Sequence, residues 1–136
     1  MRIYGIGTDI VKVKRLKQSV KKKNFISKLF NQHEINKCKK TRNYLHCYAK
    51  RFAAKEAFSK ALGTGISKGI NFREIIVLND KNGKPYIILE GLTKNNVKKK
   101  LKGKYKISLS LTDEDNYAVA FVTITVWKKI KLLELY

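Results

Sequence analysis

Residues 43–62 restrict the fold of this chain more than any other stretch. Leu45, Ala49, Phe52, Ala53 and Glu56 recur at spacings of three and four, so an apolar helical face is interrupted by a carboxylate. Lys60 follows one turn later, and Gly63 and Gly65 supply a stop. A glutamate on a core-facing stripe is seldom left alone, because desolvating a bare charge is costly. The fold must therefore bring a cation to Glu56. Two partners are open: Lys60 at i,i+4, or a metal ion shared with a second acid.

The remaining elements predict an α+β domain, a mostly antiparallel sheet with one long central helix and short helices, spanning residues 1–136 without repeat or linker. A short strand at Ile3–Ile6 is closed by Thr8 and Asp9, and Gly5 and Gly7 let its backbone come close to another element. Helical patterns follow at Ile10–Val20 and Phe25–Phe30. Asn31 and Glu34 form a capping box that opens a helix to about Lys39. Phe72–Leu78 and Tyr86–Leu89 read as a hairpin about an Asn-Gly turn at residues 80–85. A lysine-rich helix covers Leu92–Leu101. Strands at Tyr105–Leu111 and Tyr117–Val126 are joined by a loop at residues 112–116, and Trp127 and Tyr136 follow, suited equally to packing at an interface and to binding a ligand.

Charge balance points to an acidic partner. Thirty-one basic and 10 acidic residues give +21 at pH 7. The lysine surplus has a competing reading as compositional drift, since Lys, Asn and Ile are all abundant. The basic residues are scattered and no nucleic-acid motif or aromatic platform accompanies them, which argues against a nucleic-acid-binding domain. No apolar run is long enough to span a membrane. Cys38 and Cys47, nine residues apart, make a poor disulfide framework and read as reduced packing residues of a reducing compartment.

Asp9 and Glu56 stand out in a chain with few acids, since each sits beside apolar sequence rather than in a solvated run. Two converging carboxylates suit a hard divalent cation that completes its shell with waters and phosphates. The competing reading pairs Glu56 with Lys60 and makes Asp9 a helix cap. Near a metal–phosphate site, Lys60 would neutralise a leaving phosphate. His33 and His46 have no partner at ligand spacing and read as ordinary polar residues.

Four segments together resemble the small 4′-phosphopantetheinyl transferases, the holo-acyl-carrier-protein synthase family: Gly5-Ile6-Gly7-Thr8-Asp9-Ile10-Val11 with Arg15; Arg51 through Gly65; Val77–Asp80 with Gly83-Lys84-Pro85; and Ser108-Leu109-Ser110 with Tyr117–Ala120. The resemblance implies transfer of the phosphopantetheine arm of coenzyme A to a serine of an acidic apo acyl carrier protein. Adenosine 3′,5′-bisphosphate leaves, and the product serves fatty-acid synthesis. By position it implies that Asp9 and Glu56 hold Mg²⁺ against the pyrophosphate and that Lys60 contacts phosphates. Arg51, Gly63 and Pro85 would shape the nucleotide site. Arg15, with Lys14, Lys17, Lys21 and Lys22, would receive the carrier protein. It further implies a homotrimer with active sites between subunits, in a cytoplasm or a plastid-type organelle. One departure is plain: the family's Ser-x-Ser-His reads Ser108-Leu109-Ser110-Leu111 here, which removes a ligand-contacting histidine and implies altered coenzyme A affinity with activity retained.

Overall fold

Two glycines set how the first strand meets the long helix. β1 (Arg2–Lys12) crosses α4 (Tyr44–Leu62) so closely that a Cβ on Gly5 would strike the Ala61 carbonyl, and one on Gly7 the Ala57 carbonyl. The fully buried Ala53 and Ala57 and the nearly buried Ala61 keep the helix side of this contact low. The structure is a computed structural model that describes residues 1–65 and 69–127, so Tyr136 lies outside the described residues.

β1 pairs antiparallel with β5 (Tyr117–Trp127), which pairs on its other side with β4 (Lys104–Glu114). Strict alternation along β5 buries Ala118, Ala120, Val122, Ile124 and Val126. The last four of these share the main core with Ala57 and Phe58 of α4. β2 (Ile75–Asn79) and β3 (Pro85–Leu89) form a separate hairpin. Its turn is fixed by Asp80, whose Oδ1 accepts from the Asn82 and Lys84 N–H groups at 2.8 and 2.9 Å, while Gly83 takes a φ of 85°. α5 (Gly91–Leu101) adds Val97 and Leu101 to the core. Among the described residues no helix is long and apolar enough to cross a membrane.

α1 (Val13–Ser19), α2 (Phe25–Leu29) and α3 (Gln32–Lys39) form a second cluster with the start of α4. The expected fold class is what the chain adopts, and the long helix, the capping box and the hairpin lie where the sequence puts them. Other expectations are corrected. β1 continues through Asp9 to Lys12, so Asp9 is a strand residue and caps nothing. The loop expected at residues 112–116 is mostly strand: β4 and β5 stay paired to Glu114 and Tyr117, leaving Asp115 (φ 47°) and Asn116 as the turn. Asn116 is anchored, since its carbonyl accepts from the Val13 N–H and its Oδ1 from the Lys14 N–H, 2.8 and 2.9 Å. Trp127 ends β5 rather than following it.

Cys38 and Cys47 are joined as a disulfide, not reduced. The eight intervening residues include the end of α3, a reversal and the start of α4. The chain doubles back and sets the two Cα atoms 5.4 Å apart, within the ordinary disulfide span.

The fully buried charge on α4 is Lys55, not Glu56. Its Nζ donates to Glu34 Oε1 and to the carbonyls of Phe72 and Ile75, each at 2.7 Å. Glu34 also accepts from Asn31 N–H (3.0 Å) and Val77 N–H (3.2 Å), and both side chains are 0% exposed. Burial pulls the Lys55 ammonium down to about 8, against the pull of Glu34 in the other direction. Lys55→Met leaves a buried carboxylate without its cation and is expected to cost about 3–5 kcal/mol in urea unfolding. Adding Glu34→Gln should recover part of that loss, because the neutral amide leaves no uncompensated buried charge, while its single oxygen keeps only one of the two N–H groups that Glu34 accepts from, Asn31 on Oε1 and Val77 on Oε2.

Candidate active site

The close crossing of β1 and α4 carries Asp9 to the helix. Alternation along β1 places Gly5, Gly7, Asp9 and Val11 on the face that meets α4. On α4 the i,i+4 spacing stacks Phe52, Glu56 and Lys60 along one edge. Lys60 Nζ donates to Asp9 Oδ1 at 3.1 Å and to the Thr8 carbonyl at 2.9 Å. The expected Lys60–Glu56 pair is therefore replaced by a bond across to the strand. Glu56 is half-buried. Its carboxyl is pushed above the usual range by burial first and by the nearby Asp9 charge second, with Lys60 acting the other way. Asp9 and Glu56 line one cavity of about 260 Å³ together with Arg15, Lys12, Phe25 and Phe52.

Two carboxylates here share a single exposed lysine, and their mutual repulsion is relieved by a cation. Among the described residues no group of three or more His, Cys, Asp or Glu side chains converges. A divalent ion at this point would rest on Asp9 and Glu56 and take its other ligands from waters and phosphate oxygens, the habit of magnesium. The donor set fits such an ion.

A larger cavity of about 590 Å³ opens between the first half of α4, the end of α3 and the β2–β3 turn. Arg51 forms its inner wall. Only 4% of that residue is exposed, and no carboxylate pairs with it among the described residues. Its Nη2 donates to Asn79 Oδ1 at 2.9 Å, and its Nη1 makes longer contacts with the carbonyl and Sγ of Cys47. Its Nε is buried without a partner. Burial lowers the Arg51 pKa, with Glu34 and Tyr48 opposing. A desolvated guanidinium with a free donor beside a cavity is a site that an anion completes.

On the opposite wall Asp113 gathers two bases. His46 Nδ1 lies 2.8 Å from Asp113 Oδ2 and Lys50 Nζ 3.3 Å from Oδ1. Partial burial raises the Asp113 pKa, but the His46 hydrogen bond and the Lys50 charge outweigh it, and the net shift is downward.

The sequence-predicted residues thus divide. Asp9, Glu56 and Lys60 come together, with Arg15 at the same cavity. Arg51 and Pro85 line the larger cavity, where Leu111 also lies. Gly63 ends α4 with a φ of 83° and lines neither cavity. Lys14 and Lys17 are exposed on α1, with Lys21 exposed just beyond it. Asn79 was missed as a site residue. It ties Arg51 to the hairpin, donating from Nδ2 to the Gly83 carbonyl at 3.1 Å, and its place just before the Asp80 turn was the available signal. His46 was read as an ordinary polar residue, because Asp113 is remote in sequence.

A model of the 4′-phosphopantetheinyl transferase superfamily matches residues 5–122. The chain belongs to that superfamily. Two curated holo-[acyl-carrier-protein] synthases show the extent of the likeness. That of Pelagibacter ubique is 47% identical over 91% of this chain and 98% of its own length. That of Ehrlichia chaffeensis is 45% identical over 90% and 96%. Among solved structures, the Neisseria meningitidis holo-[acyl-carrier-protein] synthase superposes with a TM-score of 0.82 at 35% identity, covering 91% of this chain and 99% of that one. The Bacillus anthracis holo-(acyl-carrier-protein) synthase in complex with CoA (3′,5′-ADP) gives 0.76 at 34% identity, covering 92% and 98%. The chain is accordingly an enzyme, a phosphopantetheinyl transferase of the holo-[acyl-carrier-protein] synthase group. In this transferase Arg51→Met removes a desolvated charge without emptying its volume. The melting temperature is expected to hold, while calorimetry with inorganic pyrophosphate as the probe should show anion binding at this cavity weakened by about tenfold or more.

Proposed function

We propose that this transferase moves the 4′-phosphopantetheine arm of coenzyme A to a serine of an acidic apo acyl carrier protein, with Mg²⁺, and so supports fatty-acid synthesis in a cytoplasm. The observation that carries this reading is the meeting of Asp9, Glu56 and Lys60 beside one cavity, with an unpaired buried arginine at a second cavity on the same helix. The names of the relatives and the coenzyme A complex among them support the choice of substrates.

The serine oxygen bonds to the β-phosphorus as the bond from that phosphorus to the bridging oxygen breaks. Adenosine 3′,5′-bisphosphate leaves with the electron pair, and the serine proton passes to Glu56, directly or through one water. The step depends on alignment and charge neutralisation more than on covalent help. Arg51 anchors the nucleotide end, so the pyrophosphate is held at a fixed distance along α4. Lys60, exposed beyond Glu56, turns from Asp9 to the departing phosphate. Mg²⁺ held by Asp9 and Glu56 would supply charge neutralisation at the pyrophosphate. Arg15 lines the cavity that holds the two acids, so a carrier protein drawn to α1 by Arg15, Lys14, Lys17 and Lys21 presents its serine there.

A homotrimer completes the reading. The sheet face turned away from α4 exposes Ile6 (61%), Ile10 (64%) and Phe121 (46%) side by side across β1 and β5. A contiguous apolar face of this kind asks for cover, and copies of the chain supply it.

Mass spectrometry of apo carrier protein incubated with coenzyme A and Mg²⁺ tests the proposal. A gain of one phosphopantetheine arm, lost with chelator, supports it, and no gain under saturating conditions overturns it. Glu56→Gln should fold and lose the transfer by about a hundredfold or more. A normal rate would return Glu56 to a structural role. Phe121→Lys is expected to shift the assembly to monomer in light scattering.

A further inference from the structure

His46 is the one titratable side chain at the larger cavity whose free atom is chemically ambiguous. Its Nδ1 is engaged by Asp113, so the imidazole is oriented and Nε2 remains for a ligand. The charged neighbours are Lys50 and Arg51 on α4, Asp113 on β4, Lys37 on α3, and Asp80 and Lys81 in the hairpin turn. Asp80 is taken up by the turn's own N–H groups, and Asp113 by His46 and Lys50. An acid in a cation-lined cavity opposes an anionic ligand unless it does something else. Here it holds two bases in place, and the Asp113–His46–Lys50 group is neutral with imidazole and singly positive with imidazolium.

Distance decides which phosphate His46 meets. Ten residues separate it from Glu56 on one continuous helix, about 15 Å at 1.5 Å per residue. A pyrophosphate at Asp9, Glu56 and Lys60 is out of its reach. The ribose phosphate at the far end of the nucleotide is the group left for it.

We propose that His46, positioned by Asp113, binds the ribose 3′-phosphate of the nucleotide as an imidazolium and takes up a proton when that phosphate arrives. This rests on the function proposed above. With Nδ1–H donating to Asp113, neutral imidazole offers only a lone pair to a phosphate, whereas imidazolium donates from Nε2. Binding of the phosphate and protonation of His46 therefore favour each other, and the selectivity for a 3′-phosphorylated nucleotide declines as the imidazolium is lost at higher pH.

Calorimetry of the full chain with adenosine 3′,5′-bisphosphate and with 5′-AMP, each at about pH 7 in HEPES and in Tris, reads both quantities. The wild type should prefer the bisphosphate and show a buffer-dependent heat that reports proton uptake with it and not with 5′-AMP. His46→Gln should lose about tenfold of the preference, leave 5′-AMP binding unchanged and abolish the uptake. His46→Arg should restore the preference without uptake and with a flat pH profile. Asp113→Asn should reduce both preference and uptake. Wild-type binding with the same preference and uptake in His46→Gln overturns this inference alone. A wild type that binds neither nucleotide overturns the nucleotide reading of the cavity and this inference with it.

Discussion

The contact between Lys55 and Glu34 holds three parts of the molecule in register. One ammonium joins α4 to α3 through a carboxylate and to the approach of β2 through the Phe72 and Ile75 carbonyls. The carboxylate in turn reaches the Val77 N–H of β2 and the Asn31 N–H that opens α3. A buried ion pair of this kind is weak evidence of net stability, since its desolvation is costly. Its consequence here is geometric. α3, α4 and the hairpin form the larger cavity's walls together with β4, and the first three are fixed to the same ion pair. Arg51, one turn before Lys55, repeats the arrangement more loosely, through Asn79 on one side and Cys47 on the other.

The second organising constraint is the absence of side chains at Gly5 and Gly7. Where β1 touches α4, backbone meets backbone at Ala57 and Ala61. Asp9, two residues beyond Gly7, then arrives beside Glu56 and Lys60 with little freedom. The acid pair is thus a by-product of close packing, and a strand held a side chain's width further out would separate the two carboxylates.

Much of this was legible in the sequence, for identifiable reasons. The long helix, its glycine stop, the capping box and the Asn-Gly hairpin are local signals, and local chemistry sets them. The pairing of Asp9 with Glu56 could be expected because both are acids beside apolar sequence in a chain with few acids, and because the family resemblance places them together. Lys55 was not legible: its lysine looks solvated beside Glu56, and its partners are 17 to 21 residues away. The cysteine pairing depended on a reversal of direction that spacing alone does not reveal. The polar run at residues 112–116 resembled a loop because its side chains face solvent, yet its backbone continues the β4–β5 ladder. His46 and Asp113 meet only through that continued strand.

The acids of this chain are distributed unlike its bases. Of the 10 acidic residues, Asp9, Glu34, Glu56, Glu74, Asp80 and Asp113 are each engaged in a site, a buried pair, a helix start, a turn or the His46 contact. Few remain to offset the lysines outside. In the proposed trimer three such chains would repel one another strongly, and among the described residues the apolar sheet face opposes that repulsion. Added electrolyte then pulls in two directions, screening subunit from subunit while also screening each subunit from an acidic visitor. For the proposed trimer, the ionic strength that best keeps the subunits together is then higher than the one that best recruits the proposed carrier protein.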